Sequence, residues 1–231
     1  MCNVVYEDNH LLVVIKPTNL LTQADKTGDD DLLSQMKRYI KEKYQKPGDV
    51  YLGLVHRMDR PVGGLLCLAR TSKAAARLSN QVSNHEMARE YLAITEGNLP
   101  PSGTLRHYLI KDDMLNMVST VPEGTKGSQL AVLHFESLDQ RDNTSLCHIR
   151  LETGRAHQIR VQMAASGHPL INDARYGHGM PGNQIALWGA KLTLAHPTLQ
   201  KKMTFYSVPQ GDAWAIYKES IGRFLTAEPL S

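Results

Sequence analysis

Cysteine is scarce in this chain: three residues of 231, at positions 2, 67 and 147. They are isolated, with no C-x-x-C pair, so neither a zinc cage nor a disulfide framework is expected. A reducing cytoplasm is the natural setting for such a chain. Long apolar runs are also missing. No stretch reaches the roughly 18 apolar residues of a membrane span. The start, Met1-Cys2-Asn3, lacks the basic and apolar regions of a secretory signal. The ten histidines include no H-E-x-x-H spacing, and neither G-x-G-x-x-G nor a P-loop occurs, so no metal and no cofactor is expected. There is no internal repeat and no low-complexity linker.

Charge of one sign is barely in excess. The 26 Lys and Arg exceed the 23 Asp and Glu by three, and a mildly basic balance is weak evidence for a nucleic-acid partner. Distribution says more. Lys37, Arg38, Lys41, Lys43 and Lys46 cluster early, and Arg150, Arg155, Arg160 and Arg175 cluster late. Such groups are either solvated faces or the basic patches of nucleic-acid binders.

Hydrophobic residues make up 42% and charged residues 21%, as in ordinary globular chains. A chain of this length can bury a proper core without staples. Residues 4–6 and 11–16 read as two short strands around a Glu7-Asp8-Asn9 turn. Asp29, Asp30 and Asp31 suit a helix start, with Leu33, Met36 and Ile40 following at helical spacing. Residues 64–70 form an apolar, strand-like run. Thr71 or Ser72 can then cap a helix with Ala75, Leu78 and Val82 on its apolar face. Strands are expected at 91–95, 104–110, 130–135 and 146–151. In the last, Cys147, Ile149 and Leu151 alternate with His148 and Arg150, as on a half-buried strand.

A short helix is expected over 156–166, stopped by Gly167. Two further strands are expected at 190–195 and 203–208. Asp212 can cap a final helix bearing Trp214, Tyr217, Ile221 and Phe224 on one face. Residues 114–128, rich in Gly, Pro and Lys, read as a loop but not as a domain boundary. Many strands with few helices, not in strict alternation, predict an α+β fold with a mixed, largely antiparallel sheet. One domain over residues 1–231 is expected, and a monomer.

Chemistry concentrates in three segments. In His56-Arg57-Met58-Asp59-Arg60-Pro61, followed by Val62-Gly63-Gly64, a carboxylate sits between two arginines. Cationic neighbours favour the charged form of such a group, but structural ion-pair networks look the same. In Arg89-Glu90-Tyr91-Leu92-Ala93-Ile94, the tyrosine leading an apolar strand is either packing or a base-stacking aromatic. The third segment is Leu151-Glu152-Thr153-Gly154-Arg155-Ala156-His157-Gln158-Ile159-Arg160, followed by Gly167-His168-Pro169-Leu170. There Arg160 can project sideways from a helix, and His157 alone reads as a structural histidine.

Together, in this order, the segments resemble the three motifs of the RluA family of RNA pseudouridine synthases. H-R-M-D-R-P-V-G-G-L resembles H-R-L-D-x-x-x-S-G-L, with Met58 for Leu and Gly63 for Ser. R-E-Y-L-A resembles K-x-Y-L-A, with Arg89 in the Lys position. The third segment resembles T-G-R-x-H-Q-I-R-V-H followed by G-H-P-I-x-G-D-x-x-Y-G. Residues 11–17 resemble the family's opening L-x-V-V-x-K-P, and 192–197 its late strand ending in H-P. The resemblance covers roughly residues 4–208. Three departures stand out: Gln162 for a usual His, Asn172 for a usual Gly and Trp188 where a His is common. Asn tolerates the left-handed conformation better than most residues.

This resemblance implies the pseudouridine synthase fold, a central sheet with flanking helices and a catalytic cleft, and isomerisation of uridine in ribosomal or transfer RNA. It implies Asp59 as the catalytic carboxylate, Arg160 as its ion-pair partner and Tyr91 as the tyrosine stacked on a flipped-out base. Arg57 matches an arginine that holds the RNA open, and Arg60, Arg155, His157 and Gln158 join it as expected RNA-binding residues. An S4 RNA-binding module precedes the catalytic domain in many members. Here the first strand begins almost at Met1, so that module is expected to be absent and a compact stem-loop is the expected partner. Two other readings compete. One is a catalytically silent RNA-binding protein of the same fold. The other is a nucleoside or sugar hydrolase, which needs a second carboxylate, with Asp173 or Glu90 as candidates.

Overall fold

The computed structural model describes residues 3–226, so Cys2 lies outside the described residues, as do positions 227–231. Strands β1 (Asn3–Glu7) and β2 (Leu11–Lys16) precede helix α1 (Leu32–Lys43), the short β3 (Gly53–Leu54), β4 (Gly63–Ala69) and α2 (Ser72–Ser83). Next come β5 (Ala88–Glu96), β6 (Ser102–Asp112), β7 (Met117–Val121), β8 (Gln129–Arg141), β9 (Thr144–Leu151) and α3 (Gln158–Ala165). Strands β10 (Leu187–Ala195) and β11 (Lys202–Tyr206) lead to a 3₁₀ helix (Asp212–Tyr217) and α4 (Lys218–Thr226). The chain forms two compact units, residues 1–89 with 189–207 and residues 90–188 with 208–231.

In the first unit the strand order is β1-β2-β4-β10, with β3 on β4 and β11 on β10. The β1–β2, β2–β4, β3–β4 and β10–β11 pairs are antiparallel. Strands β2 and β4 read as continuous apolar runs because both faces are covered: all of β4 is buried, and all of β2 except the half-buried Ile15. Leu11, Val13, Leu65, Cys67, Leu192 and Leu194 form one core cluster with Ala74 and Leu78 of α2. Helix α2 starts at Thr71, whose hydroxyl accepts from the Ala74 N–H, and α1 at Asp31, whose carboxylate accepts from Ser34. Such caps satisfy amides the helix itself leaves open. Gln81 is buried on α2, and its amide donates to and accepts from the Ala195 backbone, at 2.7 and 2.9 Å.

The second unit carries the antiparallel order β5-β9-β8-β6-β7. The antiparallel α+β expectation therefore holds, and so does the alternation on β9, where Cys147 and Ile149 are buried and Arg150 exposed. Four local readings need correction. Residues 114–128 are not one loop, because they contain β7, which closes a hairpin with β6. The short β3 falls in a stretch with no strand signal. Helix α3 starts at Gln158, two residues late, because His157 sits in the left-handed region at φ 49°. The last helix opens as a 3₁₀ turn from Asp212 before becoming α-helical at Lys218.

One close approach shapes the first unit. Gly64 has φ +124°, and a Cβ there would lie 2.6 Å from the Gly189 Cα, inside the backbone of β10. Only glycine fits both the dihedral and the gap. Gly64→Ala should therefore lower the unfolding free energy by about 3 kcal/mol or more, read as a shift in the urea midpoint. A midpoint equal to that of the wild type would contradict the close packing of β4 on β10.

Candidate functional site

In the first unit, Asp59 lies in the connection from β3 to β4 and is half-buried. Its flanking backbone is held from both sides. The Thr22 hydroxyl donates to the Met58 carbonyl at 2.8 Å and accepts from the Met58 N–H at 3.2 Å. Lys16, fully buried at the end of β2, donates from Nζ to the carbonyls of Pro17, Leu20 and Arg60, at 3.0, 2.6 and 3.1 Å. The Asp59 carbonyl accepts from the Val62 N–H at 3.0 Å, closing the turn through Arg60-Pro61. A buried ammonium is tolerated only with such a set of acceptors, so Lys16 acts as a cross-brace under the loop.

His56 enters the same loop from below. It is buried, and its Nε2 accepts from the Cys67 N–H of β4 at 3.2 Å. Burial, with the Arg89 charge adding to it, pushes the imidazole down to about 3. A neutral ring accepting at Nε2 carries its proton on Nδ1. The two arginines beside Asp59 point to different surroundings. Arg57 is exposed. Arg60 forms a half-exposed ion pair with Asp29 at 2.6 Å and donates from Nε to the Asn19 carbonyl.

In the second unit, Tyr91 lies on β5 opposite Ile149 of β9 and is 7% exposed. The segment before α3 is braced by the Gln158 side chain. Its Oε1 accepts from the Thr153 hydroxyl at 2.8 Å and the Arg155 N–H at 2.9 Å, while its Nε2 donates to the Val132 carbonyl at 3.1 Å. The amide is thus spent inside the protein, and Gln158 is 3% exposed. Arg155 is exposed, with Nε donating to the Leu130 carbonyl. His157 shares a 2.7 Å hydrogen bond between Nδ1 and the Tyr176 hydroxyl.

Arg160 is buried at 6% exposure against a carboxylate that is wholly buried. Its Nε donates to Asp173 Oδ2 at 2.8 Å and its Nη2 to Oδ1 at 2.7 Å, a two-pronged pair. Asp173 Oδ1 also accepts from the Arg175 and Tyr176 N–H groups. Burial pushes the Asp173 carboxyl up, but the Arg160 guanidinium and the two backbone donors outweigh it and hold the group below the ordinary carboxylate value. The guanidinium also stands over the Tyr176 ring, 5.2 Å from its centre. Sequence reasoning missed Asp173 and Tyr176 as its holders. The available signal was a lone arginine among the apolar residues of α3, which demands a buried partner.

The departures also find places. Gln162 is wholly buried, with Nε2 facing the Leu105 and Ala131 carbonyls and His107 Nδ1, so it belongs to the interior. Trp188 is 1% exposed. Asn172 adopts φ 62°, the left-handed conformation that made it a tolerable replacement for glycine. The basic clusters are partly neutralised: Arg38 pairs with Asp30 and Lys43 with Glu7, leaving Lys37, Lys41 and Lys46 as exposed cations of the early cluster. Among the described residues, no group of three or more His, Cys, Asp or Glu side chains could hold a metal ion, and no helix is long and apolar enough to cross a membrane.

Residues 10–165 match the family described as RNA pseudouridylate synthase. Ribosomal large subunit pseudouridine synthase D of Zymomonas mobilis is 32% identical over 227 residues, covering 93% of this chain and 71% of that protein. An uncharacterized RNA pseudouridine synthase, YhcT, of Bacillus subtilis is 34% identical over 200 residues, covering 84% of this chain and 64% of that one. Among solved structures, human RNA pseudouridylate synthase domain containing 4 superimposes with a TM-score of 0.75 at 19% identity, over 96% of this chain and 92% of that one, which bears on the fold. The chain belongs to the RNA pseudouridine synthase family, a class of isomerase.

The Arg160–Asp173 pair makes a pH prediction. A carboxyl held below its ordinary value in the folded state contributes stability above the unfolded value, and that stability is lost as pH falls through the folded one. Unfolding free energy should decline below about pH 4. Asp173→Asn should cost about 3–5 kcal/mol at neutral pH, because it leaves the guanidinium without this counter-charge, and should flatten the acid decline. Urea unfolding from neutral to acid pH tests both; an identical acid slope in the variant would show that Asp173 is not the group that titrates.

Proposed function

We propose that this chain isomerises uridine to pseudouridine in RNA, with Asp59 as the catalytic carboxylate. The observation that supports the proposal is the order of three segments in the sequence that resemble the family's motifs, with Asp59, Tyr91 and Arg160 standing where those motifs carry an aspartate, a tyrosine and an arginine. In the reaction the N1–C1′ bond breaks, the base rotates, C5 bonds to C1′, the C5 proton is lost to solvent and N1 takes up a proton, so that product and substrate are isomers. No metal, hydride or phosphate donor enters this balance. Asp59 acts at C1′ or at C2′ of the ribose.

The uridine must leave its stack, because a stacked base does not present C1′ to a protein carboxylate. Tyr91 is the proposed stacking partner, an interaction worth about 1–3 kcal/mol per base. Arg57, Arg60 and Arg155 are proposed to hold the RNA backbone. The committed amide of Gln158 supports a bracing role behind Arg155, and the hydrogen bond of His157 to Tyr176 supports the same for that residue. A relative named for the ribosomal large subunit supports ribosomal RNA as the substrate, with transfer RNA the other candidate. A structured stem-loop, a monomeric enzyme and a cytoplasmic setting complete the proposal.

The hydrolase reading loses support from the surroundings of its second acid. Asp173 is sealed against Arg160 and two backbone amides, and Glu90 is buried with its carboxylate 2.8 Å from His148. Neither is poised to activate water.

Two outcomes are expected. Asp59→Asn should keep the fold and bind RNA but lose turnover by at least about 1,000-fold, followed by tritium release from RNA labelled at uridine C5. Turnover near the wild-type rate would remove Asp59 from its role. With Arg38 and Lys43 engaged internally, about three phosphate contacts remain for the early cluster. From these three contacts alone, affinity should fall by about 40-fold between about 50 and 200 mM salt, and by more if Arg57, Arg60 and Arg155 also meet phosphates; a flat filter-binding curve would contradict phosphate contacts as the main source of affinity.

A further inference from the structure

Tyr176 meets three different elements of the second unit. Its hydroxyl accepts from the buried Val118 N–H of β7 at 2.9 Å and shares the 2.7 Å hydrogen bond with His157 Nδ1. Its ring meets the His157 ring edge-on, with centres 5.7 Å apart and planes at 68°. The same ring lies beneath the Arg160 guanidinium and packs against the cluster of Leu109, Val118, Ala131 and Val161. Its own backbone N–H donates to Asp173, the carboxylate that grips Arg160 edge-on.

Arg160 is thus held in two ways. Asp173 takes the edge of the guanidinium and fixes its position through two parallel hydrogen bonds. An edge-on pair still allows the plane to rock about the axis of the pair. The ring beneath removes that freedom, and it attracts the cation through its negative face. The hydroxyl, bonded to the backbone of β7, keeps the ring from turning away.

The geometry points to Tyr176 as a positioning residue for Arg160: the ring sets the plane of the guanidinium, and the hydroxyl sets the ring. This rests on the reading that Arg160 takes part in the isomerisation. Placement errors of this kind act on the chemical step more than on substrate binding, so the effect belongs in kcat, with KM for RNA little changed.

The test replaces Tyr176 in the full chain by Phe and then by phenylalanines of increasing ring fluorination. These keep the size of the ring while emptying its negative face. The expected result is a kcat that falls progressively along the series, by about 10-fold in total, with KM for RNA and the thermal midpoint nearly level after Phe. Tyr176→Leu should lose at least as much kcat as the most fluorinated ring. A flat kcat across the fluorinated series, in a protein where Arg160→Gln abolishes turnover, would overturn the inference. If Arg160→Gln itself turns over normally, the failure belongs to the proposed function and not to the positioning role. A rise of KM and a fall of the thermal midpoint in step with the loss of kcat would also overturn it, since that is the signature of lost packing alone.

Discussion

The buried ion pair between Arg160 and Asp173 is the constraint on which the second unit is organised. A guanidinium inside a small domain is untenable unless its charge and its donors are met. Asp173 supplies the counter-charge and two acceptors, and its own remaining lone pairs are met by the amides of Arg175 and Tyr176. The consequence runs outward from the pair. The segment from Asp173 to Tyr176 must curl beneath α3, which brings the Tyr176 hydroxyl to His157 and to the backbone of β7. Helix, turn and hairpin are thereby locked by one charge. Such a pair adds little net stability relative to apolar packing, but breaking it is costly. Its value is the fixed position of a cation.

The first unit reaches a similar end by different means. Asp59 is held through its neighbours, since Met58 is gripped by Thr22 and Arg60 by Lys16. Gly64 lets β4 run against β10 with no side chain between them. The backbone on either side of the candidate carboxylate is therefore fixed by residues outside the turn. Both units follow the same rule, in which residues that do no chemistry hold the few that do.

Much of this was legible in the chain itself, for identifiable reasons. Strand β4 is apolar throughout and β2 is apolar up to its final Lys16, and the Asp31 and Thr71 caps precede clear helical periods, so these elements stand out. Strand β7 did not, because five residues of modest alternation are flanked by Gly, Pro and Lys, and its pairing with β6 is a matter of the whole sheet. The late start of α3 depends on a left-handed His157, a conformation that histidine adopts more readily than most residues but that its identity alone does not announce. Gln158 was expected as an RNA contact, whereas its amide is spent inside the protein, and Lys16, given no role of its own in the sequence, is likewise an interior brace. Polar residues that satisfy buried backbone look like surface residues until the burial is known. The basic clusters misled in the opposite direction, because Asp30, Glu7 and Asp173 neutralise cations that composition counts as available.

The proposal that this chain is an RNA-modifying isomerase is tested most directly by mapping. Unmodified ribosomal and transfer RNA, incubated with the wild-type protein in the absence of added metal or cofactor, would be read for pseudouridine nucleotide by nucleotide. Conversion of specific uridines in at least one of the two RNAs is the expected result. Tight binding with no pseudouridine at any position of either RNA would contradict the proposal and favour a silent RNA-binding protein of the same fold.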